Sequence, residues 1–173
     1  MCEICHRIDQ IKSGTNKYLV RELNTGYVVI GDHQYFKGYT LFLFKEHQTE
    51  LFHLPKAQKL EFLNEMSLVA EACSKAFNAD KINYELLGNG DTHLHWHLFA
   101  RRKGDLSLSN SDVWPFFKQV ERNNPASSGP VWWLNPEIMY AEDNEPNDDE
   151  LSEMKNQLNL ALDEVLKQEK TLS

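Results

Sequence analysis

The stretch His93-Leu94-His95-Trp96-His97-Leu98-Phe99-Ala100 decides how the rest of the chain is read. Successive side chains of a strand leave opposite faces, so His93, His95 and His97 share one side while Leu94, Trp96 and Leu98 take the other. At roughly 3.3 Å per residue the outer histidines stand about 7 Å from the middle one. One histidine is commonly a satisfied core residue. Three in register, with apolar residues strictly between them, are a functional array. Two chemistries use such a row. In the first, the imidazoles hold a catalytic metal. In the second, a neutral imidazole attacks phosphorus while its neighbours orient it and hold the phosphate. The strand contains no acidic ligand, which favours the second.

Working outward, KINYELLG (81–88) reads as the preceding strand, joined through the turn Asn89-Gly90-Asp91-Thr92. KYLVREL (17–23), GYVVIGD (26–32) and GYTLFLF (38–44) are three further strands, the first two joined by Asn24-Thr25-Gly26. From Leu54 the period changes: Leu60, Leu63, Met66, Val69, Cys73 and Phe77 form one apolar stripe, which predicts an amphipathic helix over 54–78 with Pro55 in its first turn. Cys73 lies on that stripe as a small core residue. A last helix presents Leu151, Met154, Leu158, Ala161 and Val165 on one face, with Asp148 or Asp149 as its cap. The expected fold class is α+β, an antiparallel sheet of about five strands with one long helix and a C-terminal helical extension.

With 173 residues, 41% of them hydrophobic and 25% charged, the chain has globular composition and enough length for a sizeable core. No apolar run reaches the roughly 20 residues of a membrane helix, so no membrane partner is expected. MCEICHRIDQ has no signal-peptide core, which points to the cytoplasm. The net charge of −8 argues against a nucleic acid polymer as partner. Six acids crowd into AEDNEPNDDE (141–150), so the rest of the chain nets only −2 and retains room for a local anion site. Three cysteines make no disulfide framework; Cys2 and Cys5 have the spacing of half a zinc site.

The block LGNGDTHLHWHLFAR (87–101) resembles the signature of the histidine triad (HIT) superfamily, and specifically a bacterial branch described as diadenosine tetraphosphate hydrolase-like. KIN (81–83) and the later PVW (130–132) are similar to that branch as well. The resemblance implies a HIT domain over 1–133, leaving 134–173 as an aromatic and acidic extension that ends in the amphipathic helix. It implies a nucleotide hydrolase or transferase acting on a dinucleoside polyphosphate or a nucleoside phosphoramidate, with a non-catalytic nucleotide-binding module as the alternative, and a homodimer joined through the long helices and sheet edges. It also implies His95 as the nucleophile on the α-phosphate, His97 as the third histidine against that phosphate, and His93 as support for the array. Asn83 and Asn89 match the branch's asparagines, and Arg101 matches the arginine after the triad; these are the substrate-binding candidates. Thr92 is the candidate for protonating the leaving group.

The chain departs from the family at Ala100, where relatives carry proline, at Gly90-Asp91-Thr92, and at Tyr39, where many carry a histidine. Some relatives complete an N-terminal C-x-x-C with a histidine after the third strand and with the first triad histidine. Those positions here are His47 and His93, which with Cys2 and Cys5 make a structural zinc site the expectation. Catalysis itself is expected to need no cofactor. The aromatic segment VWWLNPEIMY (131–140) is read either as packing under the last helix or as a lid stacking on a base.

Overall fold

As far as Arg101 the chain is divided into strands by polar turns and one long helix, and each strand finds its neighbour in antiparallel register. In the computed structural model these are β1 (Leu19–Glu22), β2 (Gly26–Ile30), β3 (Thr40–Phe44), β4 (Lys81–Glu85) and β5 (His95–Arg101), ordered β1-β2-β3-β5-β4 in one sheet. Residues 2–88, 90–103, 105, 117–120, 131–134, 139 and 141–172 are described, those of 117–120 and 131–134 and residue 172 through their backbone alone. The expected five strands are present. Gly26 is required by packing, because a Cβ there would fall 2.5 Å from the Phe42 ring. Gly38, at φ +95°, occupies the left-handed region and sits equally close to Phe77.

Register decides which residues face which layer. Phe42 pairs with Trp96, whereas Leu41 pairs with His97 and Leu43 with His95. Phe42, Leu98 and Ala100 therefore enter the core beneath helix α2 (Lys56–Ala76), and the histidines look the other way. On that second face a helix α1 (Glu3–Lys12) lays Ile4, Ile8 and Ile11 against Tyr27, Val29, Leu41 and Leu43. The sequence reading assigned this segment no helix.

The long helix occupies the expected place, but its apolar stripe is displaced from the predicted one. Leu60 is 55% exposed, and the buried line instead runs Phe62, Glu65, Val69 and Cys73. The cause is Glu65. Its buried carboxylate accepts the backbone N–H groups of Asn24 at 2.8 Å and Thr25 at 2.9 Å, together with the Thr25 hydroxyl. Satisfying the β1–β2 turn turns that face of the helix inward. Glu65→Ala would leave buried donors unpaired, at an expected cost of about 2–4 kcal/mol. A lowered urea midpoint with unchanged slope would show it, with Glu65→Gln in between. Cys73 is fully buried, which pushes its thiol up to about 12 and makes it the inert core residue expected.

The last helix, α3 (Asp148–Leu172), buries Leu151, Met154, Leu158, Ala161 and Val165 as its pattern foretells, within the same core as α2. Arg21–Asp163 at 2.7 Å and Lys75–Glu164 at 3.0 Å flank the packing. Its cap is neither Asp148 nor Asp149. Asn147 Oδ1 accepts Glu150 N–H at 3.0 Å, and Glu150 returns a carboxylate oxygen to Asn147 N–H at 3.0 Å, a reciprocal box that satisfies two amides at once. A separate hairpin pairs β6 (Phe117–Val120) with β7 (Val131–Leu134), which the sequence reading did not foresee. Among the described residues no helix is long and apolar enough to cross a membrane.

Candidate functional site

Strand β5 carries His95 and His97 on the face away from α2, as period-two alternation requires. His95 is 4% exposed, and its Nδ1 lies 2.6 Å from the carbonyl oxygen of His93. A carbonyl only accepts, so Nδ1–H is the donor, and it is Nε2 that carries the lone pair whenever the ring is neutral. The His97 ring stands 4.5 Å from that of His95, centroid to centroid. His97 Nδ1 is 2.7 Å from the hydroxyl of Tyr39, whose ring also stacks on Phe99 at 4.6 Å. Tyr39 thus bears directly on His97.

His93 departs from the simple row. It precedes the strand, and its Nε2–H donates to the carbonyl of Phe44 at 2.8 Å. That bond presents Nδ1 to Cys5, whose Sγ is 3.4 Å away. His47 Nδ1 meets the same sulfur at 3.2 Å. One ligand atom from each of Cys2, Cys5, His47 and His93 lies within 4.8 Å of the others, so the four residues proposed from sequence come together. Burial holds the His93 imidazole below its ordinary range despite the Phe44 bond, which keeps it neutral as a ligand must be. Burial, with Cys2 beside it, pushes the Cys5 thiol up to about 11. His95 and His97 do not join this group.

A cavity of about 350 Å³ opens over His95 and His97, within the range of small-molecule sites. Its wall is α1, through Glu3, Ile4, His6, Arg7 and Gln10; Tyr39, Leu41, Leu87 and Met139 supply apolar surface. Arg7 grips the Asp32 carboxylate with both nitrogens, one at 2.8 Å, and both residues face the cavity. His33, Gly90 and Asp91 complete it. Arg7, Asp32 and His33 were not picked out from sequence, because each reaches the site only through tertiary packing; Met139 belongs to the aromatic segment VWWLNPEIMY read above as packing or lid. The one available signal was the polar end of GYVVIGD, where an apolar strand stops at Asp32.

The other predicted contacts are spread more widely. Thr92 lines a second cavity that borders His93 and His95. Asn83 is exposed on β4 opposite Phe99 and lines neither cavity. Arg101 ends β5 with its guanidinium 4.4 Å from the Phe36 ring and a bidentate pair to Asp105 at 2.6 and 2.8 Å, also outside both linings. Asn89 lies outside the described residues, as do the side chains of Trp132 and Trp133, on which the lid and packing readings of the aromatic segment rest.

The chain matches the HIT domain over residues 17–104. No curated protein matches it. Among solved structures, a hypothetical histidine triad nucleotide-binding protein from Sulfolobus tokodaii superposes with a TM-score of 0.63 at 15% identity, covering 93% of each chain. A histidine triad protein from Sinorhizobium meliloti gives 0.58 at 23% identity over 81% of this chain and 85% of its own. A zinc-bound histidine triad family protein from Mycobacterium smegmatis gives 0.57 at 16% identity, covering 96% of both. At these identities the likeness is one of fold.

Proposed function

The chain belongs to the HIT domain family, and from that premise we propose that it is a nucleotide hydrolase or transferase in which His95 attacks an α-phosphorus. The observation that carries the reading is the 2.6 Å bond from His95 Nδ1–H to the His93 carbonyl, which makes Nε2 the basic nitrogen of the neutral ring, in a residue that lines a nucleotide-sized cavity. In the first step Nε2 bonds to phosphorus, and the bond from phosphorus to the leaving group breaks. The leaving group departs with that electron pair and takes up a proton. Water then attacks the nucleotidyl-histidine, releasing the mononucleotide and restoring His95. His97, with Tyr39 donating to its Nδ1, presents an Nε2–H to the phosphoryl oxygens. The turn through Gly90 and Asp91, residues that line the same cavity, is a further candidate for holding that developing charge.

The substrates proposed are dinucleoside polyphosphates, diadenosine tetraphosphate among them, and nucleoside phosphoramidates. Chelator-treated protein offered both classes side by side should release the 5′-monophosphate from at least one. Absence of release from every member would overturn the proposal, and turnover that appears only with added metal would favour the histidine row as a metal site. Tyr39→Phe removes the hydroxyl on His97 and is expected to lower kcat on the order of ten- to hundredfold with KM little changed. A steady-state comparison with wild type checks it.

We further propose that Cys2, Cys5, His47 and His93 hold a structural zinc. Two thiolates and two imidazoles are a donor set suited to tetrahedral zinc, whose sulfur ligands stand about 3.8 Å apart at normal bond lengths. The zinc-bound relative from Mycobacterium smegmatis supports this reading. A homodimer is proposed through β4, the sheet edge, where Tyr84 and Leu86 are exposed apolar residues.

A further inference from the structure

A second cavity of about 340 Å³ meets the first at Leu87 and His95. Thr49 and Glu50, on the loop after β3, form one side, and Leu86, Gly88 and Thr92 close the other. The two cavities differ in chemistry. The first combines the Arg7–Asp32 pair with Ile4, Leu41 and Met139, a setting for a ribose and base. The second is aliphatic along Leu86, Leu87 and Leu94, and Glu50 is its one formally charged lining residue; no lysine or arginine stands among the described residues there. A zinc on two thiolates and two neutral imidazoles would leave the His93 corner without net charge.

With the α-phosphorus at His95 Nε2 and the nucleoside against Arg7 and Asp32, which line the first cavity alone, the second cavity is the adjoining space that shares His95. We propose that the second cavity is the leaving-group subsite and that Glu50 is its specificity-determining residue, selecting an aliphatic leaving group that is uncharged or carries an ammonium and disfavouring a polyphosphate. The inference rests on the proposed His95 chemistry for the location of the phosphorus, and it chooses between the two substrate classes left open above. A polyphosphate leaving group brings several negative charges that need lysine or arginine partners. Here it would meet a carboxylate instead. An alkyl chain is matched by the leucines, and a terminal ammonium by Glu50.

Binding tests this apart from catalysis. The full chain carrying His95→Ala, which blocks turnover, is titrated calorimetrically with three ligands at low salt. These are AMP, the adenosine 5′-phosphoramidate of 1,4-diaminobutane, and diadenosine tetraphosphate. The diamine conjugate is expected to bind at least tenfold more tightly than the tetraphosphate. Adding Glu50→Lys should shift that ratio at least tenfold toward the tetraphosphate, with AMP affinity changed less than twofold. Glu50 is exposed, so folding is not at stake. A ratio that stays constant overturns the subsite, and so does an AMP affinity that moves as far as the ratio. Failure to trap nucleotide on His95 in the otherwise wild-type protein would overturn the catalytic proposal and with it the leaving-group role of the cavity, an outcome separate from a constant binding ratio, which overturns the Glu50 selectivity whatever the trapping shows.

Discussion

His95→Ala is expected to abolish turnover by about four orders of magnitude or more while the protein still binds nucleotide. The size follows from the role. A general acid or an orienting group lowers a barrier by part of its height, whereas removing the nucleophile removes the path itself. His95 is suited to that role by its buried ring and by the 2.6 Å bond that locks Nδ1–H on the His93 carbonyl. Binding survives because the Arg7–Asp32 pair and the apolar wall of the cavity come from other elements. The direct check is chemical: rapid quenching with substrate labelled at the α-phosphate should leave an acid-labile nucleotide on the peptide containing His95. His97→Ala should retain that adduct and form it more slowly. If His95→Ala keeps more than about a tenth of wild-type activity, another group is the nucleophile.

The parts of this architecture that were legible in the sequence are those set by strict periodicity. Alternation through 93–100 foretold both the core face of β5 and the shared side of His95 and His97. It did not foretell that His93 lies just before the strand and turns its ring to Phe44 and Cys5, because that follows from contacts with residues far away in sequence. The α2 stripe was misplaced toward Leu60 for a related reason. Glu65 counts as polar in any pattern, yet three donors from the β1–β2 turn make burial favourable. Helix α1 was missed although Ile4, Ile8 and Ile11 recur at helical spacing, because the two cysteines invited a metal reading of the same residues. The two readings are compatible: Cys2 Sγ accepts the Cys5 N–H at 3.4 Å and caps the helix that carries Cys5. Arg101 was legible only as a basic residue following the triad, and its pairing with Asp105 and Phe36 needed the fold.

That overlap of cap, helix and cysteines makes loss of the proposed zinc the second large effect expected. Helix α1 is tied to the body by its isoleucines, by Arg7–Asp32 and by the Cys2–Cys5–His47–His93 group. Without metal the last tie is reduced to weak thiol–imidazole contacts. For a chain of this size a loss of about 4 kcal/mol corresponds to a melting temperature lower by about 10 °C, and Cys5→Ser or exhaustive chelation is expected to reach that. The effect should extend to the ligand, because the same helix walls the nucleotide cavity through Ile4, His6, Arg7 and Gln10. A helix that docks only part of the time offers Arg7 and Asp32 as a formed pair for only that fraction, and apparent nucleotide affinity falls in proportion. Linkage then requires that nucleotide tighten the metal by the same factor by which the metal tightens nucleotide. Competition for zinc with a chromogenic chelator, with and without saturating AMP, measures one side, and AMP titration of the zinc-loaded and stripped protein measures the other. Equal factors above unity confirm that the metal group holds the wall of the site. Protein purified free of zinc, melting unchanged when zinc is added, would show that α1 docks through its isoleucines and Arg7 alone.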